Sequence, residues 1–387
     1  MNRYSVFIIS IICFFIGCNS KINNKNLSLD LEKEDVIIFP LDSMTSYFNH
    51  FQVVEQGDRN LLYMLTQFNN RFVVYDIETQ ELVKSFEFEN DQRNPISIGE
   101  IPPSGFSYVN PDTIILYDFY KQQIYIGNEN GEKDLLINLM RKFPSERDNW
   151  GSAYQSAEPI LINDSILSIT ASVFTGNEPF HKDQKSDLYI NLNSKEVWKE
   201  NVFPEEYLSG NYYSNTRLRP TRAQDKQRGL MYYNYLNADS IYILDIKSGD
   251  RTAFYASHID KLPSIETSSI DEFRTFADGF DSQRIYNNSQ GTFVSVFYNP
   301  FKNQIIRLGY PGIVDFNNQD FKDGFYKDEK TLSFYDAGSY EFLGNVSIEG
   351  LGYDFMFFDE NSFYVAQIEN NKSEDELVFT KFKYPDF

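Results

Sequence analysis

Apolar and aromatic positions alternate with polar ones over short runs along most of this chain, and the runs come in pairs joined by polar turns. The pairs are FVVYDIETQELVKSFEF (72–88), QIYIGNENGEKDLLINL (123–139), LYINLNSKEVWKENVF (188–203), IYILDIKSGDRTAFYA (241–256) and LSFYDAGSYEFLGNVSI (332–348). A period of two places successive side chains on opposite faces, so each run predicts a half-buried strand. The turns centre near Thr79, Asn130, Ser194, Ser248 and Ser339. They are rich in Asn, Asp, Gly, Ser and Thr, which accept the backbone angles a hairpin needs.

Two further strand candidates precede most of these hairpins, as in GFSYV (105–109) with TIILYD (113–118), and EPILI (158–162) with SILSIT (165–170). Two strands and a hairpin make a four-stranded antiparallel unit of about 50 to 60 residues, and such units repeated radially make a β-propeller. At that period the chain holds six or seven blades. The long interval from Ser248 to Ser339 contains 257–290, which does not read as strand. Ile265, Ile270, Phe273, Phe276, Ala277 and Phe280 fall mostly three and four apart, with a Ser269/Glu272 capping box and a stop at Gly279. This predicts one short helical insertion between blades. A second, polar insertion is expected at 311–329.

The last unit supplies only three strands, 353–358, 362–368 and 376–384, while DVIIFPL (35–41) has no hairpin partner near the N-terminus. Pairing the two removes two open sheet edges at once. The expected fold is therefore all-β: a six-bladed β-propeller over 35–387, closed by 35–41 against 351–384, with seven blades as the alternative.

The N-terminus reads differently. Arg3 is followed by the apolar run VFIISIICFFI (6–16), then Gly17 and Cys18. The run is about half the length of a membrane span and has the layout of a secretory signal over residues 1–17. Phe15-Ile16-Gly17-Cys18 resembles the lipobox of bacterial lipoproteins. The resemblance implies that Cys18 becomes the first residue and carries acyl chains. Residues 18–34 are polar and lack aromatics, which is tether composition. Asn19 is not the Asp of inner-membrane retention, and no acidic run follows Cys18 directly. The expected place is the bacterial cell envelope, lipid-anchored to the outer membrane and facing the periplasm. Cys13 leaves with the signal and Cys18 is blocked, so no disulfide is expected.

The hairpin pattern, TFVSVFYNPFKNQIIRLGYP (292–311) and SFYDAGSYEFLGNV (333–346) together resemble lipoproteins of the Bacteroidota with six-bladed, TolB-like propellers. That resemblance covers most of the mature chain and implies architecture; it implies no activity.

Composition narrows the function classes. The formal net charge is −21, which disfavours nucleic acid and anionic lipid surfaces as partners. Phe and Tyr are abundant, with 35 and 27 residues, and suit a pleated, half-buried surface. His50, His181 and His258 are the only histidines, and they read as scattered loop residues, so no zinc site or His-based triad is expected. No phosphate loop, dinucleotide fingerprint or nucleophile elbow occurs, and no cofactor is expected. The nearest calcium-like stretch, Asp315 to Asp320, lacks the required Gly. One cluster stands out in so acidic a chain: Arg217, Arg219, Arg222, Lys226 and Arg228. It falls where the innermost strand of the fourth blade, or its entry loop, belongs. It reads either as an anion-binding patch, since guanidinium forks match carboxylates and phosphates, or as a solvated stretch paired with nearby acids. Arg307, flanked by apolar residues, is the weaker second binding candidate and would need a partner if buried. The expected function is a non-enzymatic binding or scaffold propeller for a protein, an anionic small molecule or a glycan. The alternatives are a propeller hydrolase or lyase, and a carbohydrate-binding lipoprotein.

Overall fold

The computed structural model describes residues 28–29, 31–42, 48–66, 71–88, 105–144, 151–152, 158–171, 184–208, 220–258, 291–311, 330–349, 351–367 and 375–387. They form six sheets. Blade 1 comprises Phe48–Gln56, Arg59–Thr66, Arg71–Asp76 and Leu82–Glu87. Blade 2 comprises Gly105–Asn110, Thr113–Asp118, Gln123–Gly127 and Lys133–Asn138. Blade 3 comprises Ile160–Asn163, Ile166–Ala171, Lys185–Asn191 and Val197–Val202, with Gly151–Ser152 added beside its second strand. Blade 4 comprises Thr221–Asp225, Leu230–Asn234, Ser240–Asp245 and Arg251–Tyr255. Blade 5 comprises Thr292–Asn299, Gln304–Tyr310, Lys330–Asp336 and Phe342–Ile348. Each is an antiparallel meander, and first strands of neighbouring blades approach one another around the axis. The protein is thus a six-bladed β-propeller of four-stranded blades, not a seven-bladed one. The helix expected within 257–290 and the insertion at 311–329 lie almost wholly outside the described residues.

Blade 6 joins the two ends of the chain. Leu351–Phe358, Ser362–Gln367 and Glu376–Lys383 are completed by Lys33–Pro40 as the outermost strand. Ile37 lies opposite Phe379, Ile38 opposite Val378 and Phe39 opposite Leu377, the pairing expected from the orphan strand. Strand pairing also involves residues upstream of 35. Lys33 already pairs with Phe382, and Ser28–Leu29 runs parallel to Asn345–Val346 on the outer edge of blade 5.

The hairpins between third and fourth strands of blades 1, 3, 4 and 5 share one chemistry. Asp76, Asn191, Asp245 and Asp336 each end a third strand, and each Oδ1 accepts the backbone N–H groups two and three residues on, at 2.7–3.0 Å. The residue four on is left-handed in every case: Gln80, Lys195, Gly249 and Tyr340, with φ of 60°, 59°, 77° and 62°. The short Asx side chain replaces a backbone acceptor in the turn, which is why these positions are Asp or Asn. Backbone donors also hold the carboxyls of Asp76, Asp245 and Asp336 below the ordinary carboxylate range, from Thr79, Ser248 and Ser339 respectively.

Burial divides the core into six apolar clusters, one at each seam between neighbouring blades. Period two explains the division. In Arg59–Thr66, Leu61, Tyr63 and Leu65 pack toward blade 2, while Leu62 and Met64 pack toward blade 6. The Phe and Tyr excess is used here. At the closing seam Phe51 stacks on Phe355 with centroids 5.1 Å apart, and Phe39, Phe357 and Phe379 complete an edge-to-face cluster.

Candidate functional site at the seams of blade 4

Arg222 and Arg307 are both brought into seams of blade 4, one on each side. Cys18, Arg217, Arg219 and His181 lie outside the described residues. Lys226 is exposed in the turn between the first two strands of blade 4. Arg228, in the same turn, donates through Nε to Asp225, through Nη1 to the Ala337 carbonyl at 2.7 Å and through Nη2 to the Tyr232 hydroxyl at 2.7 Å.

Arg222 sits on the innermost strand of blade 4 and crosses to blade 3. Its Nη1 donates to Asp187 Oδ1 at 2.6 Å and to Ser168 Oγ at 2.7 Å, and its Nη2 donates to the Glu158 carbonyl at 2.7 Å. Both charged side chains are fully buried. Asp187 Oδ2 accepts from Ser186 Oγ at 2.7 Å and from Asn201 Nδ2 at 2.9 Å. Asn201 adopts φ 61° inside the strand Val197–Val202, a left-handed conformation that Asn tolerates and larger side chains resist. Its amide also donates to the Tyr233 hydroxyl at 2.8 Å, and its Oδ1 accepts from Arg251 Nη2. The seam therefore carries a continuous polar chain from Arg222 near the axis to Arg251 at the rim.

Arg307 crosses from blade 5 to blade 4. It is also fully buried, with no carboxylate in ion-pair contact among the described residues. Its Nε donates to Asn234 Oδ1 at 2.8 Å, Nη1 to the Ala256 carbonyl at 2.9 Å and Nη2 to the Ala238 carbonyl at 2.6 Å. The guanidinium lies 3.3 Å from the centre of the Phe293 ring. Burial pulls its pKa below the usual arginine value. His258 lies beside it, stacked on Phe342 at 4.1 Å with its Nδ1 3.3 Å from the Tyr335 hydroxyl. Burial, and then the Arg307 charge, lower its pKa.

His258 lies in the loop after the outermost strand of blade 4, as expected, whereas His50 does not lie in a loop. His50 is wholly buried on the innermost strand of blade 1, because it packs edge-on against Phe106 of blade 2 at 4.9 Å. Its Nε2 is 3.2 Å from Glu158 Oε2, just before blade 3 begins. The first strands of blades 1, 2 and 4 thus contribute His50, Phe106 and Arg222, and the segment leading into blade 3 contributes Glu158, to one end of the channel. Glu158, with a third of its side chain exposed, is the one of these carboxyl or imidazole groups that solvent reaches.

A groove of about 350 Å³ opens where the same polar chain reaches the rim between blades 3 and 4. Tyr189, Trp198, Glu200, Asn201, Ile246 and Arg251 are among its lining residues.

Asp187, Glu158, Asn201 and Arg251 were not singled out by pattern. Asp187 carried a usable signal, an acid leading directly into the apolar Leu188-Tyr189-Ile190 run, the same signal that marked Arg307. Asn201 carried none, because its backbone angle depends on the neighbouring blade.

Two solved structures share this fold. One, a member of the DUF4221 family from Bacteroides vulgatus, superposes with a TM-score of 0.72 at 16% identity, covering 94% of this chain and 100% of that one. The other, a putative exported protein from Bacteroides fragilis, gives 0.51 at 10% identity, covering 94% and 97%. No curated protein matches the chain. The model of a domain of unknown function, DUF4221, matches residues 26–343, from just before the closing strand into the outer strand of blade 5, and the chain belongs to that family.

Proposed function

We propose that this protein is a lipid-anchored, non-enzymatic binding or scaffold propeller of the bacterial cell envelope, tethered through Cys18 to the outer membrane on its periplasmic side. The apolar run 6–16 closed by Gly17-Cys18 supports the anchor. A single acyl chain binds membranes only marginally, so firm attachment needs more than one on Cys18. The observation that carries binding over catalysis is the use of charge inside the ring. Arg222 and Asp187 are fully buried and answer each other, and Arg307 is engaged by carbonyls and an aromatic face. These groups stiffen a platform and leave recognition to its surface. Two experiments test the reading. The Cys18→Ser variant should leave the membrane fraction, as soluble protein or unprocessed precursor; equal partitioning of variant and wild type contradicts the anchor. A panel of envelope polysaccharides and esters should show no turnover.

The alternative, a hydrolase or lyase, draws on His50 and Glu158 at the channel end. Robust turnover abolished by Glu158→Gln would establish it in place of the binding reading.

A further inference from the structure

The rim groove between blades 3 and 4 has an unusual division of charge. Glu200 and Arg251 both line it, yet they do not pair with each other, and neither has an ion-pair partner among the described residues. The cause is Asn201. In a regular strand, Glu200 and Asn201 would point to opposite faces. The left-handed backbone at Asn201 breaks the alternation, so that both line the groove. The Asn201 amide is anchored on its inner side by Asp187 and the Tyr233 hydroxyl, and its Oδ1 takes one N–H of Arg251. Arg251 is thereby positioned by a neutral amide, which keeps its positive charge uncompensated. Both polar atoms of the Asn201 side chain are engaged, so the side chain that holds Arg251 is itself fixed.

Apart from Asn163, whose Oδ1 is taken up by Ser165 and the Ile166 N–H, the remaining walls are largely apolar and aromatic. Tyr189 and Trp198 are directly opposed across the two outer strands of blade 3, with rings 5.7 Å apart at 73°, and Ile246 faces them from blade 4. The volume of about 350 Å³ falls within the roughly 300–1,000 Å³ of small-molecule sites. The matching occupant has a carboxylate for the Arg251 fork, hydroxyl donors for Glu200, and a weakly positive C–H face for the aromatic wall. A zwitterionic amino acid would meet the two charges but would present no flat ring face to the Tyr189–Trp198 wall. A sugar acid uses the whole set, and the groove's position at the outer edge lets neighbouring sugars of a polymer continue into solvent.

We propose that this groove binds a uronic acid residue of an acidic glycan. The assignment rests on the binding reading above and adds to it a site and a ligand class. The chain has two tryptophans, Trp150 and Trp198, so a Trp150→Phe background leaves Trp198 as the reporter. The full chain in that background is titrated with trigalacturonate, with its methyl ester, with maltotriose and with leucine. Saturable quenching by trigalacturonate is expected, with binding at least about tenfold weaker for the ester and for Arg251→Met, and partly recovered in Arg251→Lys. Glu200→Gln should weaken binding less than Arg251→Met. Thermal melts of each variant confirm that the ring is intact. Equal quenching by maltotriose, saturation by leucine alone, undiminished binding by a folded Arg251→Met, or no saturable response would each overturn the proposal. Product analysis of the same mixtures keeps the two readings apart. Cleavage of a bound trimer ends the non-enzymatic reading and leaves the site standing; absence of binding by an otherwise anchored, inactive protein ends the site alone.

Discussion

The two seams of blade 4 solve one problem in two ways. Each admits a fully buried arginine from a neighbouring strand, and each must satisfy a charge taken out of water. At the blade 3 side Arg222 meets Asp187, so the seam is neutral and its stability depends on both partners. At the blade 5 side Arg307 meets two carbonyls, one amide oxygen and the face of Phe293, so the charge is solvated by dipoles and remains a net cation. A buried ion pair gains little over apolar packing, but breaking it by removing one partner costs much. A cation held by dipoles leaves only neutral groups behind when removed. The lesson is that burial of an arginine does not by itself say how much the fold depends on it; the chemistry of its partner does.

The closing seam between blades 6 and 1 supplies the reference, since it is held by apolar burial, and removing it should have the largest effect. Deletion through Leu27 should leave a soluble, cooperative protein. Deletion through Leu41 strips Ile37 and Phe39 from their cluster and exposes the edge of Glu376–Lys383. Apolar burial contributes roughly 25 cal/mol per Å² against a total stability of about 5–15 kcal/mol, so this truncation should be insoluble or lack a thermal transition. Similar melts for both truncations would break the closure.

Next in size is the contrast between the arginines. Arg222→Met leaves Asp187 buried without its counter-charge and should cost about 3–5 kcal/mol in denaturant unfolding. Arg307→Met removes hydrogen bonds from neutral acceptors, and the Ala256 carbonyl keeps the Tyr335 hydroxyl at 2.8 Å, so a loss of about 1.5–3 kcal/mol is expected. The reverse order would mean that the dipole-solvated cation is the more critical of the two.

Smaller still is a difference in pH response. His258 has its pKa lowered below 6.5 in the folded ring. The unfolded chain therefore binds its proton first, and the stability His258 contributes is complete above pH 6.5 and is lost as pH falls through the folded value. Melting temperature should decline as pH falls below 6.5 through the folded value, and His258→Asn should flatten that decline. The turn aspartates Asp76, Asp245 and Asp336 respond in a separate, more acidic window. Their pKa values are lowered from 3.8, so their contribution is present above that pH and disappears as pH falls through the folded values. An unchanged slope in His258→Asn across that neutral-to-acid range would show that the blade 4–5 seam does not titrate there.

The propeller was legible in the chain because its signals are local. Alternation sets each strand, Asx turns set each hairpin, and the orphan strand 35–41 had one economical partner. Even the register of Ile37 against Phe379 follows from period two once the edge is assigned. The seams were only half legible. An arginine inside an apolar run announces a need for a partner, and Arg307 did so. It does not announce which partner, because that depends on which neighbouring strand faces it. Arg222 was grouped by sequence with Arg217 and Arg219, yet its side chain belongs to Asp187, far away in sequence. His50 reads as a loop residue because the apolar alternation begins only after it, and its burial is imposed by Phe106 from the next blade. The groove was invisible, since a left-handed Asn201 within a strand is fixed by contacts from blades 3 and 4 together.

The most direct measurement is a double-mutant cycle across the blade 3–4 seam, with Arg222→Met, Asp187→Leu and the pair, each unfolded in denaturant. Mutually dependent buried charges predict that either single change is severely destabilising and that the double variant recovers much of the loss, to a stability above that of both singles. Two mild, additive single effects would contradict the ion-pair seam and return Arg222 to the surface as an anion-binding residue.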